Sequence, residues 1–239
     1  MTKLHSVCLV IDSDYPFPQH YKKQRNLWRQ MMNLDPEIKC YFIRLSESIT
    51  EELIVNEEDN TIYVRGKESY IPGILIKTLK AMQYVFNKYD FKYLIRTNIS
   101  TFWNFKLYKQ KFNIGLNNLV EAAVGYINSD PFPSGMGIVM SRNIILKMIT
   151  AQNQFDFSLY DDVAIGKFLQ ANNIPINNIH TGRYQFISPL SHNEILSKIH
   201  TNINKAYQFR VVYDRGPQDN FIWQNLYNLL YGKANPYLS

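Results

Sequence analysis

Two adjacent acids, Asp161 and Asp162, stand at the predicted start of an amphipathic helix that ends near Asn172. Carboxylates in the first turn of a helix are kept ionised by the helix dipole and by free backbone amides. A fixed, ionised carboxylate is suited to take the proton from a hydroxyl group as that hydroxyl attacks an electrophile. Acid pairs are also common in first turns for structural reasons alone, so the pair by itself leaves both interpretations open.

A second candidate functional segment lies upstream, from Pro131 to Arg142, and reads PFPSGMGIVMSR. Its residues Ser134 to Gly137 predict a tight bend, because glycine permits backbone conformations and close approaches that other residues do not. Such a bend brings backbone atoms close to a ligand or simply turns the chain between two strands. Gly135 and Gly137 are therefore candidate ligand-contacting residues.

Elements that position these residues follow from the hydrophobic pattern, which alternates between short apolar runs and runs with helical spacing. The predicted strands are Val7–Ile11, Lys39–Arg44, Asn60–Arg65, Phe91–Arg96, Glu121–Tyr126, Gly137–Met140 and a strand near Tyr207–Val212. The predicted helices are Tyr21–Leu34, a start at Ser48–Glu52, Gly73–Lys88, Arg142–Ala151, Asp161–Asn172, and helices near Glu194–Ile199 and Phe221–Leu230. This alternation predicts an α/β fold with a mostly parallel sheet flanked by helices. No linker divides the chain, which favours a single domain over residues 1–239.

Composition narrows the class of protein. The chain has 239 residues, of which 46% are hydrophobic and 19% charged, as in ordinary globular proteins. Its net charge of +6 is scattered rather than concentrated on one helix or tail, which argues against a nucleic-acid-binding protein. The excess of basic residues favours the binding of an anionic small molecule, or it simply forms a solvated basic surface.

Several other features bear on location. No apolar stretch reaches the roughly 18 residues that a membrane span requires. A strand begins directly after the N-terminus, without the pattern of a signal peptide. Cys8 and Cys40 lie in predicted strands and are expected to be buried free thiols. These features predict a cytoplasmic protein. A dinucleotide-binding enzyme is set aside, because Asp12 to His20 contains no glycine after the first strand.

Taken in order, five segments resemble the beta-1,3-galactosyltransferase/fringe family of inverting glycosyltransferases. They are Arg25–Trp28, Glu68–Tyr70 with Lys77-Thr78, Tyr93–Trp103, Pro131–Arg142 and Asp161–Gly166. The resemblance implies the GT-A fold, a UDP-sugar donor and a glycan or glycoconjugate acceptor. It also implies that the tail over residues 191–239 closes over the donor. Family members from eukaryotes are Golgi-anchored and rich in disulfides, so this chain is expected to be viral or bacterial.

The resemblance also assigns roles to residues. Asp162 takes the position of the catalytic base, and Asp161 that of a neighbour that contacts the acceptor or orients the loop. Trp103 and Phe132 are candidates for stacking on an acceptor sugar, or are core residues. The candidate donor-binding residues are Asp12, Arg25, Lys77, Arg96, Thr97, Asn98, Ser100, Gly135, Gly137, Arg210 and Arg215.

One departure from the family pattern is informative. Where relatives carry Asp-x-Asp for Mn²⁺, this chain has Asn98-Ile99-Ser100, and amide and hydroxyl groups are poor sole ligands for a hard dication. Three interpretations follow. Cationic side chains such as Arg96, Arg210 and Arg215 replace the metal, or other groups of the protein bind the metal. In the third, the protein is an inactive sugar- or nucleotide-binding relative. The first is favoured. Candidate metal ligands for the second are Asp12, Asp14, His180 and His200.

Overall fold

The computed structural model describes residues 3–13, 18–178, 182–187, 190–213 and 215–232. In chain order the strands are β1 (Lys3–Ile11), β2 (Ile38–Ser46), β3 (Leu53–Asn56), β4 (Thr61–Arg65), β5 (Asp90–Asn98), β6 (Thr101–Trp103), β7 (Val120–Ile127), β8 (Asp130–Ser141), β9 (Arg183–Phe186) and β10 (Gln208–Val211). The helices are α1 (Pro18–Met31), α2 (Gly73–Lys88), α3 (Phe105–Lys111), α4 (Arg142–Thr150), α5 (Asp161–Ala171), α6 (His192–Asn202) and α7 (Pro217–Tyr231), with a 3₁₀ turn at Gln152–Gln154.

The chain forms two compact units. The first comprises Met1–Ser13, Asp35–Asn98 and Ile114–Ile179, and the second comprises Asp14–Leu34, Ile99–Asn113 and His180–Ser239. The first unit holds a seven-stranded sheet in the order β3-β4-β2-β1-β5-β8-β7, and the second a three-stranded sheet in the order β6-β10-β9. The α/β class predicted from the alternation of strands and helices is confirmed, but the sheet is mixed rather than mostly parallel, with three parallel and three antiparallel pairings. The single-domain interpretation stays a prediction.

Parallel pairing holds the centre of the large sheet together. Strand β1 pairs in parallel with β2 and β5, and β2 pairs in parallel with β4, whereas β3, β7 and β8 pair antiparallel with their neighbours. Central parallel strands are covered on both faces, which is why Val7–Ile11 of β1 is a continuous apolar run. On one face, α2 contributes Leu75, Leu79 and Met82 at helical spacing to the core.

Aromatic side chains make up much of the interior of the second unit. Trp28 of α1 and Trp223 of α7 lie with their ring centroids 6.3 Å apart, and Trp223 packs edge-on against Phe102 of β6. All three are fully buried. Strand β10 runs parallel to β9 and antiparallel to β6. Among the described residues, no helix has the length and apolar character that crossing a bilayer requires.

Two local predictions were wrong. Ser48–Glu52 does not begin a helix, because the residues that follow form β3. Leu53, Ile54 and Val55 pair antiparallel with β4 across a turn that ends at Asn60, whose φ of 51° suits asparagine. Pairing that buries these apolar residues outweighs the helix-start signal of the acids before them.

The predicted bend at Ser134–Gly137 is also absent. These residues are part of β8, a single strand of 12 residues that pairs with β5 and β7. Neither Gly135 nor Gly137 has a positive φ, so turn geometry does not explain the glycines. At Gly135 a glycine is needed because the side chains of Arg96 and Asp162 pack closely against its Cα.

Candidate active site

The two acids occupy the first turn of α5. Asp161 is buried, with 5% of its surface exposed, and Asp162 is partly exposed. Tyr160 precedes the helix without a side-chain cap, so the acids are the polar side chains available to the first amides. The helix dipole favours negative charge at this end. The predicted helix start is therefore confirmed, and the two carboxylates have different surroundings.

Arg96, on β5, is the partner of Asp161. Its Nη2 lies 2.5 Å from Asp161 Oδ2, and its Nη1 donates to the carbonyl of Gly135 at 2.6 Å and to Asn98 Oδ1 at 2.9 Å. The arginine is 1% exposed. Its guanidinium therefore balances the buried carboxylate and links β5, β8 and α5. Both terminal nitrogens of Arg96 have protein partners, and its predicted diphosphate contact stays a prediction.

Asp162 is held from two sides. Its Oδ2 accepts the N–H of Gly135 at 3.2 Å, and its Oδ1 accepts the N–H of Val163 at 3.0 Å. Burial raises the pKa of Asp162 above its usual value, and the neighbouring charge of Asp161 raises it further, against the lowering effects of Arg96 and the two amides. A carboxylate with a raised pKa is a stronger base once ionised, which suits proton abstraction.

Gly135 lies where Arg96 and Asp162 converge on β8. A Cβ atom at this position would lie 2.9 Å from Arg96 Nη1 and 3.2 Å from Asp162 Oδ2. A side chain would therefore displace the arginine, the base candidate, or both. The need for glycine is steric and was misread from the sequence as a bend.

Asn98, the first residue of the segment that the sequence resemblance compares with a metal motif, is the last residue of β5. Asn98 is paired in register with Ile11 at the carboxyl end of β1, the edge at which α/β sheets commonly bind ligands. The amide oxygen of Asn98 accepts a hydrogen bond from the cationic Arg96. A divalent cation does not fit here, because a guanidinium uses the candidate oxygen ligand and would repel the ion.

Charged side chains form a second cluster where β1 ends. Lys77 of α2 is fully buried, and its Nζ donates to the Asp12 carbonyl at 2.8 Å and to Glu68 Oε2 at 2.9 Å. Arg44 Nε lies 3.8 Å from Asp12 Oδ2. Burial lowers the pKa of Lys77, and the charge of Glu68 opposes that effect. The ammonium of Lys77 thus holds the residue that follows β1, and its predicted donor contact stays a prediction.

Glu68 and Arg44 were not predicted as members of this cluster. Glu68 also accepts the backbone N–H of Leu45 at 2.7 Å, so it connects the segment before α2 with β2. Glu68 lies in a segment that resembles the family, but no local pattern indicates that its partner is Lys77. Arg44 carried no signal beyond its place at the end of a predicted strand.

Other predicted residues of the first unit have structural contacts. The Thr97 hydroxyl donates to the carbonyl of Met136 at 2.7 Å, so it joins β5 to β8, and its donor-binding role stays a prediction. Gly137 is buried opposite Thr97 in the strand register. Phe132 packs over Gly125 of β7 and beside Gly166 of α5, and its acceptor role stays a prediction.

The second unit holds the remaining candidates. Trp103 is 0% exposed and stacks with Phe105 at 6.3 Å, which agrees with the core alternative, and its acceptor contact stays a prediction. Arg210 Nη1 lies 3.4 Å from Thr101 Oγ1, and Arg215 Nη1 donates to the Tyr21 hydroxyl at 2.7 Å.

Arg25 and Ser100 are buried, with 8% and 3% of their surfaces exposed. The donor-binding roles of these two residues, of Arg210 and of Arg215 stay predictions.

The predicted metal ligands find no support. His200 is exposed on α6, and across the described ranges no three His, Cys, Asp or Glu side chains form a group that could hold a metal ion. His180 and Asp14 lie outside the described residues. Asp12 contacts Arg44 rather than further acids.

Comparison with known proteins identifies the fold. No protein-family model and no curated protein sequence matches this chain. Among solved structures, a glycosyltransferase involved in glycosylation of the major capsid of PBCV-1 matches with a TM-score of 0.52 at 9% identity, over 92% of this chain and 98% of that one. That likeness, together with the sheet described above, shows the GT-A glycosyltransferase fold.

Two further structures are similar at lower scores. The galactosyltransferase LgtC, with donor and acceptor sugar analogs, matches with a TM-score of 0.47 at 11% identity, over 95% of this chain and 96% of that one. The glycosyltransferase GlyE of Streptococcus pneumoniae TIGR4 matches with a TM-score of 0.48 at 11% identity, over 95% of this chain and 60% of that one. The fold assignment rests on the first structure alone.

Proposed function

We propose that the protein is a glycosyltransferase that moves a sugar from a UDP-sugar to a hydroxyl group of a glycan or glycoconjugate, with inversion at the anomeric carbon. The observation that carries this proposal is the Asp162 carboxylate, which two backbone amides hold at the start of α5 in a chain with the GT-A fold. The resemblance to the beta-1,3-galactosyltransferase/fringe family supports the same assignment.

Asp162 acts as the general base in the proposed reaction. The acceptor oxygen attacks the anomeric carbon and forms a new C–O bond as its proton passes to Asp162. The bond from the anomeric carbon to the diphosphate breaks, and its electron pair leaves with UDP. Attack from the face opposite the leaving group inverts the stereochemistry, and the raised pKa of Asp162 makes its carboxylate a stronger base.

Asp161 and Arg96 position the base. Asp161 is buried and its carboxylate is used by Arg96, so it does not compete for the acceptor proton. The same arginine holds the Gly135 carbonyl, while the Gly135 amide donates to Asp162. Displacing this unit by even 1 Å is enough to cost about a hundredfold in rate.

Charge on the departing diphosphate needs a counterion. Since the residues at the Asp-x-Asp position do not fit a divalent cation, we propose that cationic side chains supply it. Arg210 and Arg215 remain the candidates, because guanidinium groups pair with phosphate oxygens in bidentate fashion. Asp12, Arg25, Asn98 and Ser100 complete the proposed donor contacts.

A second function has a specific observation in its favour. Asn98 and Ser100 stand where the resembled family places metal-binding acids, as expected of a sugar- or nucleotide-binding protein that has lost catalysis. Retention of both acids on α5 opposes this alternative. Release of UDP in the presence of an acceptor distinguishes the two, because a binding protein would form a complex without turnover.

Titration calorimetry with UDP and a panel of UDP-sugars tests the proposal, in parallel with Mn²⁺ and with EDTA. We expect UDP and at least one UDP-sugar to bind in both conditions, because cationic side chains rather than a metal pair with the diphosphate. Binding only with Mn²⁺ would contradict the metal-independent mechanism. No binding in either condition would contradict a UDP-sugar donor.

A further inference from the structure

Charge is divided unequally between the two compact units. The second unit (Asp14–Leu34, Ile99–Asn113 and His180–Ser239) contains 13 Lys and Arg residues and four Asp and Glu residues, a formal net charge of +9. The first unit contains the other 13 basic residues and 16 acids, a formal net charge of −3. Basic residues that are scattered along the sequence are therefore gathered by the fold into a unit with few acids, which gives that unit a positive field.

The acids of the second unit offset little of this charge at its surface. Asp219 is fully buried and accepts the backbone N–H groups of Tyr213 and Arg215. Glu194, which caps α6 together with Ser191, is the one acid exposed in the described part of the unit, and the other two acids lie outside the described residues. In the same described part, 11 Lys and Arg side chains are at least partly exposed. The surface is therefore strongly positive.

Helix α1 contributes a basic face to this surface. Its 14 residues include no acid. Lys22, Asn26 and Arg29, spaced by four and three residues, are exposed on one side of the helix, and Lys23 is exposed beside them. Trp28 is fully buried, so the opposite side of α1 packs into the interior of the unit.

Helix α3 is a neighbour of α1 and is also basic. The ring of Trp28 packs edge-on against Phe105, the first residue of α3, with 6.3 Å between centroids. The seven residues of α3 include three lysines and no acid. Lys106 is exposed, and Lys109 and Lys111 are partly exposed. Two adjacent helices without acids thus carry much of the positive charge of the unit.

Exposed apolar side chains accompany these cations. Leu34 after α1, Ile187 after β9 and Tyr213 after β10 are 51%, 62% and 37% exposed. Each lies within five residues of an arginine in the chain. The interface of a lipid bilayer accepts cations at its headgroups and apolar side chains just beneath them, whereas a nucleic acid offers little to aliphatic side chains. This combination favours a bilayer as the partner.

We propose that the second unit docks on the surface of a bilayer that contains anionic lipids. The lysines of α1 and α3 face the phosphate headgroups, and Leu34 and Ile187 enter the interface. Salt weakens the attraction, because it shortens the distance over which the charges act from about 8 Å at physiological ionic strength to about 3 Å at 1 M. The docking is peripheral and needs no sugar donor, so it goes beyond the proposed function.

Co-sedimentation of the full chain with lipid vesicles tests this inference. The vesicles are phosphatidylcholine alone, or phosphatidylcholine with about one third phosphatidylglycerol, which supplies the negative surface potential. The variant is Lys22→Glu with Lys23→Glu. The matched control is Lys92→Glu with Lys147→Glu, which changes the net charge equally at two exposed lysines of the first unit. Thermal unfolding checks that each variant is folded.

We expect the wild-type protein to bind the anionic vesicles at about 0.15 M salt and to be released at about 1 M. It should not bind phosphatidylcholine alone. The α1 variant should bind at least about tenfold more weakly, because each lysine near an anionic surface contributes to the attraction, and the control should stay within about twofold of wild type. Absence of binding to anionic vesicles, equal binding to both kinds of vesicle, or equal losses in the two variants would overturn the inference.

A second pair of substitutions distinguishes the bilayer from a nucleic acid. Leu34→Ser with Ile187→Ser keeps every charge, and we expect it to weaken vesicle binding about threefold or more, because these side chains leave water at the interface. An RNA duplex at the same salt concentration is the competing polyanion. Binding to the duplex but not to the vesicles, or vesicle binding that ignores the two apolar substitutions, would contradict docking on a bilayer.

Discussion

The guanidinium of Arg96 and the carboxylate of Asp161 form an ion pair in which the side chains are only 2% and 6% exposed and Nη2 lies 2.5 Å from Oδ2. This pair connects the end of β5 with the first turn of α5, directly beside Asp162. A buried pair of this kind depends on both partners, because either charge alone is left without compensation. The position of the proposed base therefore depends on Arg96, which also holds the Gly135 carbonyl beside it.

Replacement of Arg96 tests that dependence. Arg96→Met leaves the Asp161 carboxylate buried without a cation, and we expect the free energy of unfolding to fall by about 3–5 kcal/mol. The double variant Arg96→Met with Asp161→Leu removes both charges and should recover most of that loss. Urea denaturation measures both. A single variant that loses less than about 1 kcal/mol would show that the pair is not needed.

Gly135 offers a test of site geometry. In Gly135→Ala the new Cβ lies 2.9 Å from Arg96 Nη1 and 3.2 Å from Asp162 Oδ2, so the arginine or the base must move. We expect kcat to fall at least tenfold, since small displacements of a catalytic group are costly. Gly115→Ala is the matched control, because its Cβ meets only Lys92 Cδ at 4.0 Å. Equal activity of the two variants would argue against the proposed arrangement.

The pH profile reports on Asp162. Only the ionised carboxylate accepts a proton, so kcat/KM should decline as the pH falls through the pKa of Asp162, which burial and Asp161 raise above 3.8. Asp161→Asn removes the neighbouring negative charge and should move this acidic limb to lower pH. An acidic limb that does not move would mean that the group reporting on activity is not Asp162.

The cluster at the end of β1 is expected to be structural. Lys77→Met removes the ammonium that Asp12 and Glu68 share, and we expect unfolding to become easier by about 1–3 kcal/mol because these partners lose a buried donor. Lys80→Met is the control on the same helix. Its ion pair with Glu52 is solvent-exposed, so its loss should change stability by less than about 1 kcal/mol. Similar losses in chemical denaturation would refute a special role for Lys77.

Much of the fold was predictable because its elements carry strong periodic signals. The helix Gly73–Lys88 has the predicted bounds, since its apolar spacing is regular and a buried core face enforces it. Strands β6 and β9 and helix α3 were not predicted. The two strands are only three and four residues long, and their pairing with β10 is a tertiary contact that no local pattern encodes.

The candidate site was predictable only in part. The acid pair stood out because a helix start and two carboxylates coincide in the sequence. The ion pair of Arg96 with Asp161 joins residues 65 positions apart, so it follows from the antiparallel pairing of β5 with β8 rather than from any spacing. Trp103 was ambiguous for the same reason, because a lone aromatic does not reveal whether partners such as Phe105 and Tyr108 surround it.

The most direct test of the proposed function is Asp162→Asn, assayed for both UDP release and UDP binding. The substitution keeps the shape of the side chain and an oxygen that accepts from Gly135, but the amide cannot take a proton from the acceptor. We expect turnover to fall by about 10²–10⁴-fold while the dissociation constant for UDP stays within about twofold of wild type. Turnover near the wild-type rate in Asp162→Asn would contradict the assignment of the base and with it the proposed mechanism.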